Sequence, residues 1–183
     1  MLKKVILFSV FISLAACGDN AKDSAKKESA QAALDKLKAI DAAITISTNV
    51  GNYGELLVDA KPAIDSYVEI DSSSELSEAI SQTFDGHRLA FDWWQCDFAK
   101  SETNNASDDI DAENQCRDNL LPKLYDMYPD IGVKIDEVVE AKEVELGRPL
   151  TYKTSWLDPD SIIQNIWKKT GDSTDLAASL LED

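Results

Sequence analysis

The chain has 183 residues, of which 34 are acidic, 18 basic and one histidine, for a formal net charge of −16. A surface this negative repels a phosphate backbone and anionic lipid alike, which argues against a nucleic-acid partner. Glycine is scarce, with seven residues and no G-x-G-x-x-G or G-x-x-x-x-G-K string, so nucleotide binding has no motif behind it.

Met1-Leu2-Lys3-Lys4 opens the chain with positive charge, and an apolar or small run of about twelve residues follows, from Val5 to Ala16. That length suits the hydrophobic core of a signal peptide and falls short of the roughly 20 residues of a membrane-spanning helix. The run ends in Leu14-Ala15-Ala16-Cys17. At all four positions this string resembles the lipobox of bacterial lipoproteins. The resemblance is confined to residues 1–17. It implies a signal peptide over 1–16, cleavage before Cys17, and a diacylglyceryl group on the Cys17 thiol. Cleavage leaves a new amino group open to acylation, and two or three acyl chains hold a protein on a membrane where one does not. The site implied is the cell envelope, facing the periplasm or the cell surface. Gly18 follows the cysteine and Asp19 comes one place later, which favours the outer membrane under the enterobacterial sorting rule. The removed segment carries two of the basic side chains and none of the acidic ones, so 167 residues remain with a formal charge of about −18.

Residues 17–29 are small, polar and charged, and are expected to form a lipidated flexible tether ahead of an acidic helical domain over 30–183. In that domain the apolar spacing is helical nearly throughout. Ala33, Leu37, Ile40 and Ile44 give a first stripe, which Asn49, Gly51, Asn52 and Gly54 interrupt. Leu57, Ala60, Ile64 and Val68 give a second, where Pro62 predicts a kink or restart. Ser72 and Glu75 have the spacing of a capping box for a third helix. Its stripe runs Leu76, Ile80, Phe84, His87, Phe91, Trp94, Phe98, in steps of 4, 4, 3, 4, 3 and 4, all on one face. Gly86 in the middle predicts a close approach by another element.

Residues 101–112 are expected to form an acidic loop, followed by a fourth helix carrying Cys116, Leu120, Leu124 and Met127, with Pro122 inside it. Tyr128-Pro129-Asp130 turns the chain into a fifth helix through Ile135, Val138, Val139 and Leu146, ended by Gly147 and Pro149. Residues 148–157 are expected as an extended crossover. Asp158-Pro159 starts the next helix, with Ile162, Ile163, Ile166 and Trp167 on it. Gly171 is expected to close it, leaving a short last helix over 172–181. The fold class is all-α, an irregular bundle of five to seven helices.

With Cys17 lipidated, Cys96 and Cys116 remain as an even pair in an oxidising compartment, which predicts a disulfide. Antiparallel third and fourth helices would bring them together. His87, the single histidine, sits on an apolar stripe, where a hydrogen-bonded core residue is the ordinary outcome. Asp108, Asp109, Asp111 and Glu113 concentrate charge, but counting from Asp109 places Asn114 and Leu120 where a calcium-binding EF-hand needs glycine and glutamate. No metal site, cofactor or catalytic set is predicted. Trp93 adjoins Trp94 about 100° round the helix and is expected to point off the core, as a possible partner surface. These features fit a non-enzymatic, membrane-anchored module that binds a protein partner, with a basic one favoured by the charge, as an inhibitor or immunity-type protein does. An envelope enzyme working through carboxylates, or a carrier of calcium or a small ligand, are the alternatives.

Overall fold

A computed structural model describes the backbone of residues 18–99 and 106–182, and side chains from residue 22 onward. Six α-helices account for nearly all of it: α1 Gly18–Ile46, α2 Val50–Ile70, α3 Glu75–Gln95, α4 Ala106–Met127, α5 Pro129–Leu146 and α6 Pro159–Glu182. Two 3₁₀ turns, Cys96–Phe98 and Lys153–Trp156, interrupt the connections, and there is no strand among the described residues. The fold is all-α. No helix among the described residues is long and apolar enough to cross a membrane.

Helices α1, α2, α3 and α6 form a bundle in which α1 packs on α2, α2 on α3, α3 on α6 and α6 on α1. At one end Lys26 of α1 meets Asp71 just beyond α2 at 2.8 Å, beside Leu180 and Leu181 of α6. At the other end Ile44 of α1 lies beside Trp94 of α3 and Ile163 of α6. Neighbours therefore run antiparallel. The stripes expected for the first two helices are buried except at their last members, Ile44 and Val68, which are half-buried, and both extend further: Ala30 and Leu34 join α1, while Tyr53 and Tyr67 join α2.

Local chemistry explains the boundaries. Asn49 caps α2 by accepting from the Asn52 amide at 2.9 Å. The cap of α3 is Ser74, which accepts from the Ser77 amide at 3.0 Å, rather than Ser72; Glu75 and Glu78 then face the positive end of the helix dipole. Gly147 ends α5 in the left-handed conformation, with φ 65°. Pro62 and Pro122 lie on exposed faces inside unbroken helices, so water can satisfy the carbonyls they release.

Three expectations give way here. The helix begins at Gly18, so the tether expected over 17–29 is helical from that residue on. Lys22, Ala25, Lys26, Lys27 and Glu28 are good helix formers, and Asp71 pins Lys26 to the bundle. Gly171 does not end α6, which runs 24 residues as one helix. Burial of Ile163, Ile166, Thr170, Thr174 and Ala177 outweighs the roughly 1 kcal/mol that an internal glycine costs. The acidic stretch 108–113 is helical, in the first turns of α4, where carboxylates are favourable.

The largest correction is the phase of α3. Ile80, Phe84 and His87 are buried as expected, but Leu76, Phe91 and Trp94 are half-buried and Phe98 is 62% exposed. Trp93, expected off the core, has no exposed surface at all. The inner face is lined by small residues, Ala79, Thr83, Gly86 and Ala90, together with His87 and Trp93. Small side chains let α6 approach closely: a Cβ on Gly86 would lie 2.6 Å from Thr170 Cγ2 and 2.1 Å from the Tyr128 hydroxyl. A stripe traced through large residues alone misses that face.

The α4–α5 hairpin is inserted between α3 and α6. The expected disulfide joins Cys96 and Cys116, with Cα atoms 5.5 Å apart. Beside it, buried Arg117 pairs with Asp97 and lies 3.8 Å from Glu113. The expected extended crossover holds the turn Lys153–Trp156, whose Lys153 and Thr154 amides both donate to Asp118 at 2.9 Å.

Candidate binding cleft and the buried network behind it

Tyr53 is the centre of an aromatic cluster near the end of the bundle remote from residue 18. It is fully buried, on the second turn of α2, one step ahead of Leu57 in the same stripe. Four rings surround it at centroid distances near 6 Å: His87 (6.2 Å), Phe91 (6.0 Å), Trp94 (6.2 Å) and Trp167 (5.9 Å). Trp94 and Trp167 meet edge to face at 5.6 Å. Gly54 makes room for this cluster, since a Cβ there would lie 2.8 Å from the Phe91 ring.

The Tyr53 hydroxyl is surrounded by partners. Trp167 Nε1 donates to it at 3.2 Å, and the backbone oxygen and Nδ1 of His87 each lie 3.0 Å away. Burial pushes the hydroxyl far above the ordinary tyrosine range, so it stays protonated. Its single proton goes to the carbonyl or to Nδ1. On the other side of the ring, His87 Nε2 faces Asp41 Oδ1 at 3.3 Å. The contact is within ion-pair range but lacks hydrogen-bond alignment. Asp41, His87 and Tyr53 thus share the order of a proton relay. The hydroxyl at its end is sealed from solvent and already engaged, so it serves structure and cannot attack a substrate.

Above this network lies an open cleft of about 400 Å³. Trp94 and Trp167 form part of its wall, with Ile44 and Ile163 beside them. The end of α1 contributes Thr45, the α1–α2 turn Ser47 and Thr48, and α6 contributes Asp160 and Gln164. Ser47 has φ 95°, and it is the one non-glycine with positive φ among the described residues. The Trp94 indole N–H, the Ser47 hydroxyl, the Gln164 amide and the Asp160 carboxylate have no partner among the described residues, whereas Thr45 donates to the Asp41 carbonyl at 2.9 Å.

Two other concavities differ in kind. A larger one, about 590 Å³, opens at the residue-18 end, where Lys26 binds Asp71 and the Tyr67 hydroxyl lies 3.2 Å from Asp71 and 3.4 Å from Ser74. A smaller apolar groove between α5 and α6 includes half-exposed Trp156, with Lys142 Nζ 4.9 Å from its ring centroid.

The residues singled out in the sequence fare unequally. Cys17 lies outside the described residues. Cys96 and Cys116 are joined. His87 is a buried residue of the network. Trp93 is a core side chain, whose indole N–H finds no acceptor among the described residues, and it offers nothing to a partner. Asp111 and Glu113 belong to α4, Glu113 near Arg117; no three His, Cys, Asp or Glu among the described residues are grouped to hold a metal ion. Asp41, Tyr53, Trp167 and Asp160 were not foreseen. Tyr53 had a signal, since 53, 57, 60, 64 and 67 keep helical spacing through the stretch taken as a break; the others had none. Compared with known protein families, curated proteins and solved structures, the chain matches none.

Proposed function

We propose that this chain is a lipoprotein of the bacterial cell envelope, held by acyl chains on Cys17, whose helical domain is a non-enzymatic binding module for a basic protein partner. The residue after the lipidated cysteine, Gly18, favours the outer membrane. The observation that carries the binding reading is the distal cleft: two half-buried tryptophans and four unengaged polar groups on a domain of formal charge about −18. Helix α1 has 29 residues, which at 1.5 Å each spans about 43 Å. An anchor at its start would lie at the opposite end of that helix from the cleft.

The test combines anchor and cleft. Wild-type chain and Cys17→Ser are labelled with fatty acid in a bacterial host; label is expected in the first and none in the second, and normal labelling of Cys17→Ser overturns the anchor. The lipidated chain and its Gln164→Arg variant are then used to capture partners from native envelopes. A basic protein held by the wild type and lost by Gln164→Arg is expected. Equal capture by both overturns the assignment of the binding surface to the cleft.

A further inference from the structure

We infer that the distal cleft is a site for an organic cation, a guanidinium or alkylated ammonium group. This rests on the reading of the cleft as the binding surface and names what enters it. The lining contains one full negative charge, Asp160, and no lysine, arginine or histidine. The Asp160 carboxylate, on an exposed residue of the first turn of α6, has no partner among the described residues. It lines the cleft with no cationic side chain beside it in the lining.

Beside it stand two indole rings inclined at 72° to one another. Aromatic faces carry negative quadrupole potential and attract cations, most strongly for tryptophan. Trp167 is held in place from behind, because its Nε1 is committed to Tyr53 at 3.2 Å and the ring contacts both Tyr53 and Trp94. The two rings are therefore set before any ligand arrives, which lowers the ordering cost of binding. Ser47 and Gln164 supply uncommitted oxygen acceptors for the N–H groups of a guanidinium. An anion would meet Asp160 and the field of the whole domain, and a neutral ligand would forgo both the carboxylate and the quadrupole attraction. At about 400 Å³ the cleft accepts an amino-acid-sized cation. Two sources share this chemistry: a free small cation, or a lysine or arginine side chain projecting from a basic partner.

The full chain in detergent micelles is titrated with L-arginine and choline, and with their neutral counterparts citrulline and 3,3-dimethylbutanol, following tryptophan emission at fixed ionic strength. Saturable shifts are expected with the cations and none with the neutral compounds. Asp160→Asn, an exposed change that leaves the core intact, should weaken cation binding about tenfold, and Trp94→Leu should do the same. Glu69→Gln, which removes the same charge at an exposed position elsewhere, should leave binding unchanged. A triarginine peptide binding at least tenfold tighter than arginine identifies a protein side chain as the source; equal affinities identify a free cation. Citrulline matching arginine, or Asp160→Asn and Glu69→Gln behaving alike, overturns the inference. If that happens while envelope capture remains sensitive to Gln164→Arg, the binding module stands and only its ligand chemistry falls; if capture also fails, both fall.

Discussion

The four-helix bundle and the α4–α5 hairpin are held by different means. The bundle buries long apolar faces from all four of its helices, with Leu34, Leu37, Ile40, Ile80, Leu89, Trp93 and Ile166 fully enclosed. The hairpin contributes few apolar side chains to the core: Leu121, Leu124, Ile131, Ile135 and Val139. It is fastened instead by point contacts. The Cys96–Cys116 bond, the buried Arg117 against Asp97, Asp118 accepting from two amides and Thr154 donating to the Asn114 carbonyl at 3.0 Å all lie at one end. Apolar burial is spread out and degrades gradually, whereas a staple is lost all at once. The comparison also explains why the proposed cleft belongs to the bundle: its tryptophans stand on α3 and α6, which pack on each other along their length.

The largest expected effect tests the bundle side. Trp93→Ala opens a cavity at a fully enclosed position and should destabilise the domain by about 3–5 kcal/mol. Trp94→Ala, at a half-buried position on the cleft, should cost clearly less. Two denaturant curves decide this, and the reverse order would mean that the inner face of α3 runs through Trp94.

Next comes the hairpin. Reducing Cys96–Cys116 reopens a loop with a sequence separation of 20 and should cost roughly 3 kcal/mol on the chain-entropy estimate. The loss should be local. Hydrogen exchange is expected to accelerate at the start of α4 and around Lys153–Trp156 while α1 and α2 keep their protection. Uniform acceleration would show that the two regions unfold as one unit.

Tyr53→Phe sharpens the comparison inside the bundle, because here a polar knot sits within apolar packing. The change strands Trp167 Nε1 and a histidine nitrogen in a buried place, at about 1–3 kcal/mol. Urea melts measure the loss, and tryptophan emission should change as Trp167 loses its anchor. A neutral effect would remove the network from the account of how the cleft wall is held.

The smallest effect is acid sensitivity, with one reporter in each region. The Lys26 ammonium, with help from Ser74, holds the Asp71 carboxyl below its ordinary range at the bundle end. Lys169 does the same for Asp130 on the hairpin. A depressed pKa in the folded state means that the contribution is complete above the ordinary carboxylate value of about 4 and is lost as pH falls through the folded value. Asp71→Asn and Asp130→Asn should each flatten the fall of melting temperature below about pH 4, slightly, since the lysine of each pair is well exposed to solvent. An unchanged acid limb in both variants would assign acid unfolding to other carboxylates.

Much of the architecture was legible because helical periodicity, caps and breakers are local properties. The all-α class, the first two stripes, the Asp158-Pro159 helix start and the pairing of Cys96 with Cys116 follow from residue spacing and even cysteine count. Local reasoning failed where tertiary packing outweighed it. Gly171 reads as a stop, yet α6 continues through it because the buried face does. The inner face of α3 departs from the stripe of large residues because Ala79, Thr83, Gly86 and Ala90 mark where another helix comes closest.

The sequence by itself determined the helices, the disulfide partners, the acidity and the lipobox-like N-terminus, since each is written in neighbouring residues or in composition. Only the tertiary structure decided that Asp41, Tyr53, His87 and Trp167 form one network and that Trp94, Ser47 and Asp160 share one cleft. Those residues come from four helices and a turn, at separations of up to 114 positions between hydrogen-bonded partners. No local spacing rule reaches that far, because their proximity depends on which helix faces enclose the core and on how closely small residues let those faces approach.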